Sequence, residues 1–234
     1  MSITQQLVKA QRAWVCSMLA ATVFWTALVA FGILRADYSQ LTKAVSELGA
    51  VGAPYALAWN VLGFTVPGLL LAACGIAIGT VVDGGGGALR WLLTGSGIAF
   101  AGTGVFPAVM HYGSPVMQAP STVGHVAMML LSSVLWLMAI GVLLRKIRCE
   151  PRLRRLLKPF VIVTVVALSG LAANVLHDAI QPLAHRPGLA QRLGFAGYFL
   201  WFVSLSLWIG ANQSQAIEID CDHPTASRGA DNFC

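Results

Sequence analysis

The sequence predicts an all-α integral membrane protein with six transmembrane helices, both termini in the cytoplasm and a short amphipathic helix in the first outer loop. Hydrophobic residues make up 57 % of the 234 residues and charged residues only 10 %, and the mean hydropathy is +0.73. A soluble domain carries roughly 25 % charged residues. The composition therefore excludes a soluble domain, a disordered chain and a soluble nucleic-acid binder, despite a net charge of +6.

Six apolar stretches are long enough to be transmembrane helices, which need about 20 residues to cross ~30 Å of hydrocarbon. They cover residues 13–34, 55–80, 89–109, 122–144, 159–176 and 193–209. Because these stretches are continuously apolar and do not alternate, they indicate helices rather than strands. The first is too long for a signal-peptide core and no small-residue cleavage site follows it, so we expect a retained helix.

Lysine and arginine residues set the predicted orientation. Eleven of the fifteen lie in the two tails and in the second and fourth loops, seven of them between residues 145 and 158. The positive-inside rule therefore places both termini on the cytoplasmic side of the inner (plasma) membrane. We expect residues 1–209 to form the transmembrane domain, and residues 210–234 to form a polar, disordered cytoplasmic tail. The basic fourth loop also suits binding to anionic lipid headgroups.

The first outer loop carries the pattern of a short helix between Ser39 and Leu48. Asp37 followed by Gln40 resembles a capping box, and Gly49 is a natural helix stop. Apolar side chains repeat at the spacing of one helical face, at Leu41, Ala44, Val45 and Leu48. We expect this face to be buried against lipid or against the helix bundle.

Polar side chains collect at the outer ends of the predicted helices. Four of the five histidines fall on this side, namely His111, His125, His177 and His185. Glu47, Asp178 and Arg192 join them, and Asn60 and Asn174 lie a turn or two deeper. Polar groups at membrane depth are costly unless they find partners. We therefore expect a polar pocket that opens outward.

Several chemical interpretations of these polar groups stay open. One is a hydrogen-bonded network in which Glu47 pairs with Lys43 or Arg192, and Asp178 with a histidine or Arg192. A second is a metal site built from histidines and acids, namely His125, His177 or His111 with Glu47 or Asp178. A third is a haem between His125 and His177, and the last is ligand or lipid binding without chemistry. Because the sequence has no HExxH, HxxxH or CxxC motif, we predict no metal and no cofactor.

Short motifs spread along the chain form a recognisable pattern. They are Asp37-Tyr38-Ser39, Ser46-Glu47-Leu48-Gly49-Ala50, Gly52-Ala53-Pro54-Tyr55, Asn60, Gly63-Phe64, Pro67-Gly68, Gly104-x-Phe106-Pro107, His125 and Gly188-Leu189-x-Gln191-Arg192. Together they resemble the bacterial family called domain of unknown function 998. The resemblance implies a six-helix integral membrane protein without an assigned activity. The family's recurring polar positions correspond here to Glu47, Asn60, His125 and Arg192. Its acidic residue soon after Phe-Pro is missing, since Ala108-Val109-Met110-His111 follows instead.

The leading interpretation is a non-enzymatic membrane protein whose outward pocket binds a small ligand or a lipid headgroup, with transport as one use of that pocket. In this interpretation Glu47 and Arg192 supply opposite charges. His125 supplies a titratable hydrogen-bonding group, and Asn60 a neutral anchor. The expected partners are membrane lipids and the small ligand at the outer face, not nucleic acid.

Two other classes of protein remain as alternatives. The first is a metal-dependent intramembrane hydrolase that uses His125, His111 or His177. The second is a structural subunit of a membrane complex that packs through its glycine-rich helices. The Gly75-x-x-x-Gly79 spacing in the second span favours such close packing of helix backbones.

Overall fold

Helices form most of the described chain, which comprises residues 3–83, 86–111 and 113–222 of a computed structural model. The α-helices are α1 (Ile3–Leu34), α2 (Ala56–Trp59), α3 (Val66–Asp83), α4 (Ala88–Val105), α5 (Pro120–Cys149), α6 (Leu157–Val175) and α7 (Pro187–Asp222). Short 3₁₀ helices cover Val45–Gly49, Pro151–Leu156 and His177–Ala179, and a two-stranded hairpin pairs β1 (Met110–His111) with β2 (Ser114–Pro115).

A π-helical segment, Asn60–Thr65, joins α2 to α3 without a break. Pro67 lies two residues after its end and has no N–H to donate to the preceding turn. The Thr65 hydroxyl reaches back to the Asn60 carbonyl at 3.3 Å. The second predicted span is therefore one helix with a widened turn near its start, a feature that often lies at functional sites.

Five helical segments among the described residues are long and apolar enough to cross a membrane. They are Gln5–Leu34, Ala56–Asp83, Pro120–Cys149, Leu153–Val175 and Pro187–Ala211. The third predicted span is also a helix, α4, but glycine, serine, threonine and Arg90 lower its hydropathy. The chain is thus a multi-pass membrane protein.

The long helices pack side by side in the order α5, α4, α3, α1, α7, α6. Although α5 and α6 are neighbours in sequence, their backbones make few close contacts. Trp136 of α5 instead reaches α7 with its ring, whose centroid lies 5.3 Å from that of Tyr198 and 5.8 Å from that of Trp201. The backbones of α5 and α6 therefore stay further apart than those of the other neighbouring helices, while buried side chains of both belong to the same core.

The predicted glycine spacing produces the closest helix contact in this bundle. Gly75 lies against the backbone of Leu93 and Thr94, and Gly79 lies against Arg90. A Cβ atom at either glycine would overlap the α4 backbone. The expectation that the Gly75-x-x-x-Gly79 spacing allows close helix approach is confirmed.

The expected α-helix between Ser39 and Leu48 is wrong in its extent. Only Val45–Gly49 is helical, as a single 3₁₀ turn, and Leu41 is 49 % exposed. The cap forms later than expected, because the Glu47 carboxylate accepts the Ala44 N–H at 2.8 Å. The residues expected to start the helix are engaged elsewhere in the structure. Val45 and Leu48 are buried, as predicted.

The last helix extends beyond the predicted end of the transmembrane domain. Its backbone is helical from Pro187 to Asp222, past the expected boundary at residue 209. The rest of the predicted tail, residues 223–234, lies outside the described residues. The division of the chain at residue 209 stays a prediction.

Candidate binding site

Arg192, near the start of α7, holds the first loop through its guanidinium group. Its Nη2 donates to Tyr38 Oη at 2.8 Å, and its Nε donates to Gln40 Oε1 at 3.0 Å. The guanidinium also lies over the Tyr38 ring, 5.6 Å from the centroid. These partners are neutral, so among the described residues Arg192 does not form the expected ion pair with Glu47 or Asp178.

The start of α7 contacts the same loop through three more residues. The Leu189 N–H donates to the Leu41 carbonyl at 3.0 Å, and Gln191 Oε1 accepts the Val45 N–H at 2.8 Å. Gly188 lies so close to loop carbonyls that a Cβ would overlap them. These contacts fix the loop on the bundle, and we call the residues that make them the α7 clamp: Gly188, Leu189, Gln191 and Arg192.

Glu47, within the 3₁₀ turn, and Asn60, in the π segment, also hold the first loop. Glu47 is 9 % exposed; its carboxylate caps Ala44 and its backbone carbonyl accepts Arg35 Nη1 at 2.8 Å. Asn60 is 4 % exposed, and its Nδ2 donates to the Gly49 carbonyl at 2.9 Å. Both side chains therefore support the backbone of the loop.

The surface of this loop carries an ion-pair cluster. Asp37 lies between Arg35, whose Nε is 2.9 Å from Oδ1, and Lys43, whose Nζ is 2.7 Å from Oδ2. The hydrogen bond from Arg35, followed by that from Lys43, holds the pKa of Asp37 far below its usual range. Burial raises the pKa of the neighbouring Tyr38, and the Arg192 charge partly opposes that rise.

A cavity of about 550 Å³ lies beneath the loop, and we call it the loop-side cavity. Its wall combines apolar residues of the π segment, α5 and α7 with polar groups from the loops and helix ends. The polar groups are Ser46, Ser114, Thr122, His125, His177, Asp178 and Gln191. No described lysine or arginine lines it. The described wall therefore offers hydrogen-bonding groups without a lysine or arginine charge.

His125, on the second turn of α5, is the most buried titratable group in this wall, at 7 % exposed. Its Nδ1 lies 3.1 Å from the Thr103 carbonyl and 3.0 Å from the Phe106 carbonyl. Since a carbonyl can only accept, Nδ1 must carry a hydrogen. In the neutral ring, Nε2 is then an acceptor, oriented by contacts that fix the tautomer.

His177 and Asp178 contribute a second polar pair to the wall, from the short helix after α6. His177 Nε2 lies 3.2 Å from Asp178 Oδ1, and its Nδ1 lies 3.0 Å from the Asn174 carbonyl. The Asp178 side chain is largely exposed. A carboxylate acceptor therefore lies at the mouth of the cavity.

The four residues emphasised by the sequence fall into two groups in the structure. His125 lines the loop-side cavity, whereas Glu47, Asn60 and Arg192 contact the loop above it. Their assignment as ligand-binding residues stays a prediction. Sequence reasoning did not single out Gln191, which both lines the cavity and holds the loop. Its position beside Arg192 in one of the recognised motifs is the signal that points to it.

A metal site was one open interpretation of the outer histidines and acids. Among the side chains that the structure describes, in residues 5–83, 86–111, 113–151 and 153–211, no group of three or more His, Cys, Asp or Glu is placed to hold a metal ion. Of the remaining outer histidines, His185 is exposed and does not line the cavity, and neither does His111.

Long apolar helices and a polar cavity at one end of the bundle define the class: a multi-pass membrane protein. Comparison of the sequence with known families gives the particular one. A family model described as "Protein of unknown function (DUF998)" matches residues 18–208. The chain therefore belongs to this family, which confirms the resemblance drawn from the short motifs. Comparisons with curated proteins and with solved structures gave no match.

Proposed function

We propose that this protein binds a small ligand or lipid headgroup in the loop-side cavity, and that the bound group donates hydrogen bonds. The observation that carries the proposal is His125, whose ring lines the polar cavity and whose Nδ1 is committed to two carbonyls, which leaves Nε2 as the acceptor of that ring. A hydroxyl or an ammonium group satisfies such an acceptor.

The other polar groups of the wall favour the same chemistry. Asp178 adds a carboxylate at the mouth of the cavity. Because no described lysine or arginine lines the wall, an anionic group would leave water without a compensating cation. An ammonium or a polyol headgroup gains an acceptor instead. This supports a donor headgroup over a free anion.

The proposed orientation puts the cavity at the outer face of the inner membrane. The proposed topology has six membrane-spanning helices and places both termini in the cytoplasm. The support is the distribution of basic residues, since eleven of fifteen belong to the two tails and to the second and fourth loops, which the proposed topology puts on the side opposite to the cavity. In this arrangement Glu47, Asn60 and Arg192 are positioning residues, which hold the loop that covers the bound headgroup.

The orientation is tested by accessibility of single cysteines in intact cells. A cysteine at Gly113 or Pro187 is expected to react with a membrane-impermeant maleimide from outside. The native Cys149 is expected to react only after the cells are lysed. Labelling of Cys149 in intact cells would reverse the orientation.

The binding proposal is tested with phospholipids that differ only in the headgroup. Purified protein is heated with phosphatidylethanolamine, which donates hydrogen bonds, or with phosphatidylcholine of identical chains, which does not. We expect a larger rise in Tm with phosphatidylethanolamine, and we expect His125→Leu to remove the difference. His185→Leu is the matched control, because this histidine lies outside the cavity. Equal Tm shifts for the two lipids, or the same loss in both variants, would contradict the proposal.

A further inference from the structure

A second cavity, of about 80 Å³, adjoins the loop-side cavity between α5, α6 and α7, and we call it the deep cavity. Three residues line both spaces, namely Met129, Gln191 and Phe195. The other polar residues of the deep cavity are neutral amides and hydroxyls, namely Asn174, Ser132, Ser133 and Tyr198. The junction of the two cavities is therefore rich in groups that form hydrogen bonds without carrying charge.

Gln191 contributes a hydrogen-bond donor at this junction. Its Oε1 accepts the Val45 N–H at 2.8 Å. Because an N–H requires an oxygen acceptor, this contact fixes the orientation of the amide and leaves Nε2 as the donor of the side chain. Within the described part of the chain, Nε2 has no acceptor.

Asn174, in the last turn of α6, adds a second amide to the deep cavity. Its backbone carbonyl contacts His177 Nδ1 at 3.0 Å, but its side-chain amide has no hydrogen-bond partner among the described residues. Gly194 of α7 packs against this side chain, since a Cβ there would lie 3.1 Å from Asn174 Cβ. The amide supplies one N–H₂ donor group and one carbonyl acceptor.

These polar atoms are accessible to a bound molecule. Some unpartnered side-chain atoms of the described residues are sealed from open space, such as Trp59 Nε1 and Trp136 Nε1. His125 Nε2, the Asn174 amide and Gln191 Nε2 do not belong to that group, and their residues line the two cavities. They therefore have space next to them in which a ligand can satisfy them.

The adjoining walls present acceptors and donors together. His125 Nε2 and the Asp178 carboxylate accept hydrogen bonds, whereas the amides of Gln191 and Asn174 also donate them. An ammonium group only donates, so it would leave the amide donors unpaired, which is costly in a buried site. A hydroxyl both donates and accepts. A group with several hydroxyls therefore satisfies both sets.

The apolar part of the wall suits the carbon skeleton of such a group. It includes Phe64, Val126, Met129, Leu130 and Phe195. The Phe64 ring lies edge-on to the His125 ring, with 5.7 Å between the centroids, so an aromatic surface adjoins the acceptor. The C–H groups of a sugar or glycerol gain by leaving water against it. The loop-side cavity, at about 550 Å³, is within the usual size range of small-molecule pockets.

From these observations we infer that the ligand is a neutral polyol, a sugar or a glycerol group whose hydroxyls donate to His125 and accept from Gln191 and Asn174. This inference rests on the proposed function and narrows its hydrogen-bond donors to hydroxyls. Such a polyol is either the headgroup of a glycosylated diacylglycerol or a free sugar. Both sources share the chemistry that these residues recognise.

The choice between hydroxyl and ammonium is tested by competition between two lipids. Full-length protein in detergent is mixed with equal amounts of monoglucosyl diacylglycerol and phosphatidylethanolamine of identical chains, and bound lipids are counted by native mass spectrometry. We expect the glycolipid to be bound about fivefold more often, as for one additional net hydrogen bond. Equal occupancy, or a preference for phosphatidylethanolamine, would overturn the inference.

Gln191→Glu tests the donor at the junction. The carboxylate still accepts the Val45 N–H but no longer donates. We expect the preference to reverse towards phosphatidylethanolamine, because its ammonium group pairs with the new charge. Gln181→Glu is the matched control, since Gln181 is exposed and lines neither cavity. An unchanged preference in Gln191→Glu, or the same change in both variants, would contradict the inference. Should Gln191→Glu fail to fold, Asn174→Asp removes the other donor with the same expected loss.

The source of the polyol is tested with methyl β-glucoside, which has no lipid chains. A rise in Tm that Gln191→Glu removes would identify a free sugar as sufficient. Glycolipid preference without this rise would identify the lipid headgroup. If the His125-dependent difference between phosphatidylethanolamine and phosphatidylcholine persists while the glycolipid gains no preference, this inference alone fails. If that difference is absent and neither form of the sugar binds, the proposed function fails as well.

Discussion

Arg192 Nη2 donates a hydrogen bond to Tyr38 Oη at 2.8 Å, across 154 positions of sequence. This contact ties the start of the last helix to the first loop. Because one planar guanidinium serves Tyr38 and Gln40 together, the geometry of the side chain matters as much as its charge. The α7 clamp thereby fixes the first loop, which covers the loop-side cavity.

Arg192→Lys tests the importance of this geometry. Lysine keeps the positive charge, but its ammonium group lacks the planar arrangement of donors with which the guanidinium binds both partners. We expect the free energy of unfolding to fall by roughly 1.5–3 kcal/mol, the range for hydrogen bonds that involve a charged group. Thermal unfolding in detergent measures the loss. Arg186→Lys is the control, because Arg186 is exposed. Equal Tm values for the two variants would contradict a role for the planar guanidinium group of Arg192.

Gly188→Ala tests the close approach of α7 to the loop. A Cβ at this position would overlap the Lys43 carbonyl, so the loop must shift and the variant should unfold at a lower temperature. Gly141→Ala is the matched control, because it lies in α5 with no atom near the added Cβ. Alanine inside a helix is favoured over glycine by about 1 kcal/mol. The two changes should therefore move Tm in opposite directions, and a rise for both would contradict the clamp.

The helices were predictable because each requires a long apolar run, a property of neighbouring residues. The ends of α5 are also set by local residues, since Pro120 suits a first helical turn and Lys146 and Arg148 occupy the last turn. α4 was predicted as well, although glycine and Arg90 lower its hydropathy.

The first loop was not predictable in the same way, because distant residues decide its structure. Asp37 and Gln40 carry a local capping pattern, yet Asp37 pairs with Lys43 and Gln40 accepts from Arg192. These partners replace the expected helix with one short turn. The polar character of the site could be predicted from the placement of His125. The division between cavity wall and loop support depends on which way each side chain points, and a single sequence does not specify that.

Lys146→Met tests an ion pair at the other end of the bundle. Lys146 Nζ lies 2.6 Å from Asp83 Oδ1, and the Asp83 side chain is 1 % exposed. Removing the lysine leaves a buried carboxylate without this partner, which typically costs about 3–5 kcal/mol. We expect a large fall in Tm, largely restored by adding Asp83→Leu. Lys158→Met, at an exposed position, should have little effect; an equally small effect of Lys146→Met would show that the pair contributes nothing.

Asp37→Asn tests the ion-pair cluster on the first loop through its pH dependence. Hydrogen bonds from Arg35 and then Lys43 hold the folded-state pKa of Asp37 far below its usual range. In the unfolded chain, the pKa of an Asp side chain is about 3.9. The stabilisation is therefore fully present above that pH and is lost as the pH falls below it, through the folded-state pKa. We expect the native protein to have the higher Tm at neutral pH, by a small margin that added salt reduces, because the carboxylate is exposed. The margin should persist on acidification to about pH 4 and close only below it. A margin that disappears well above this pH, or that grows with acid, would show that Asp37 does not stabilise the loop as a carboxylate.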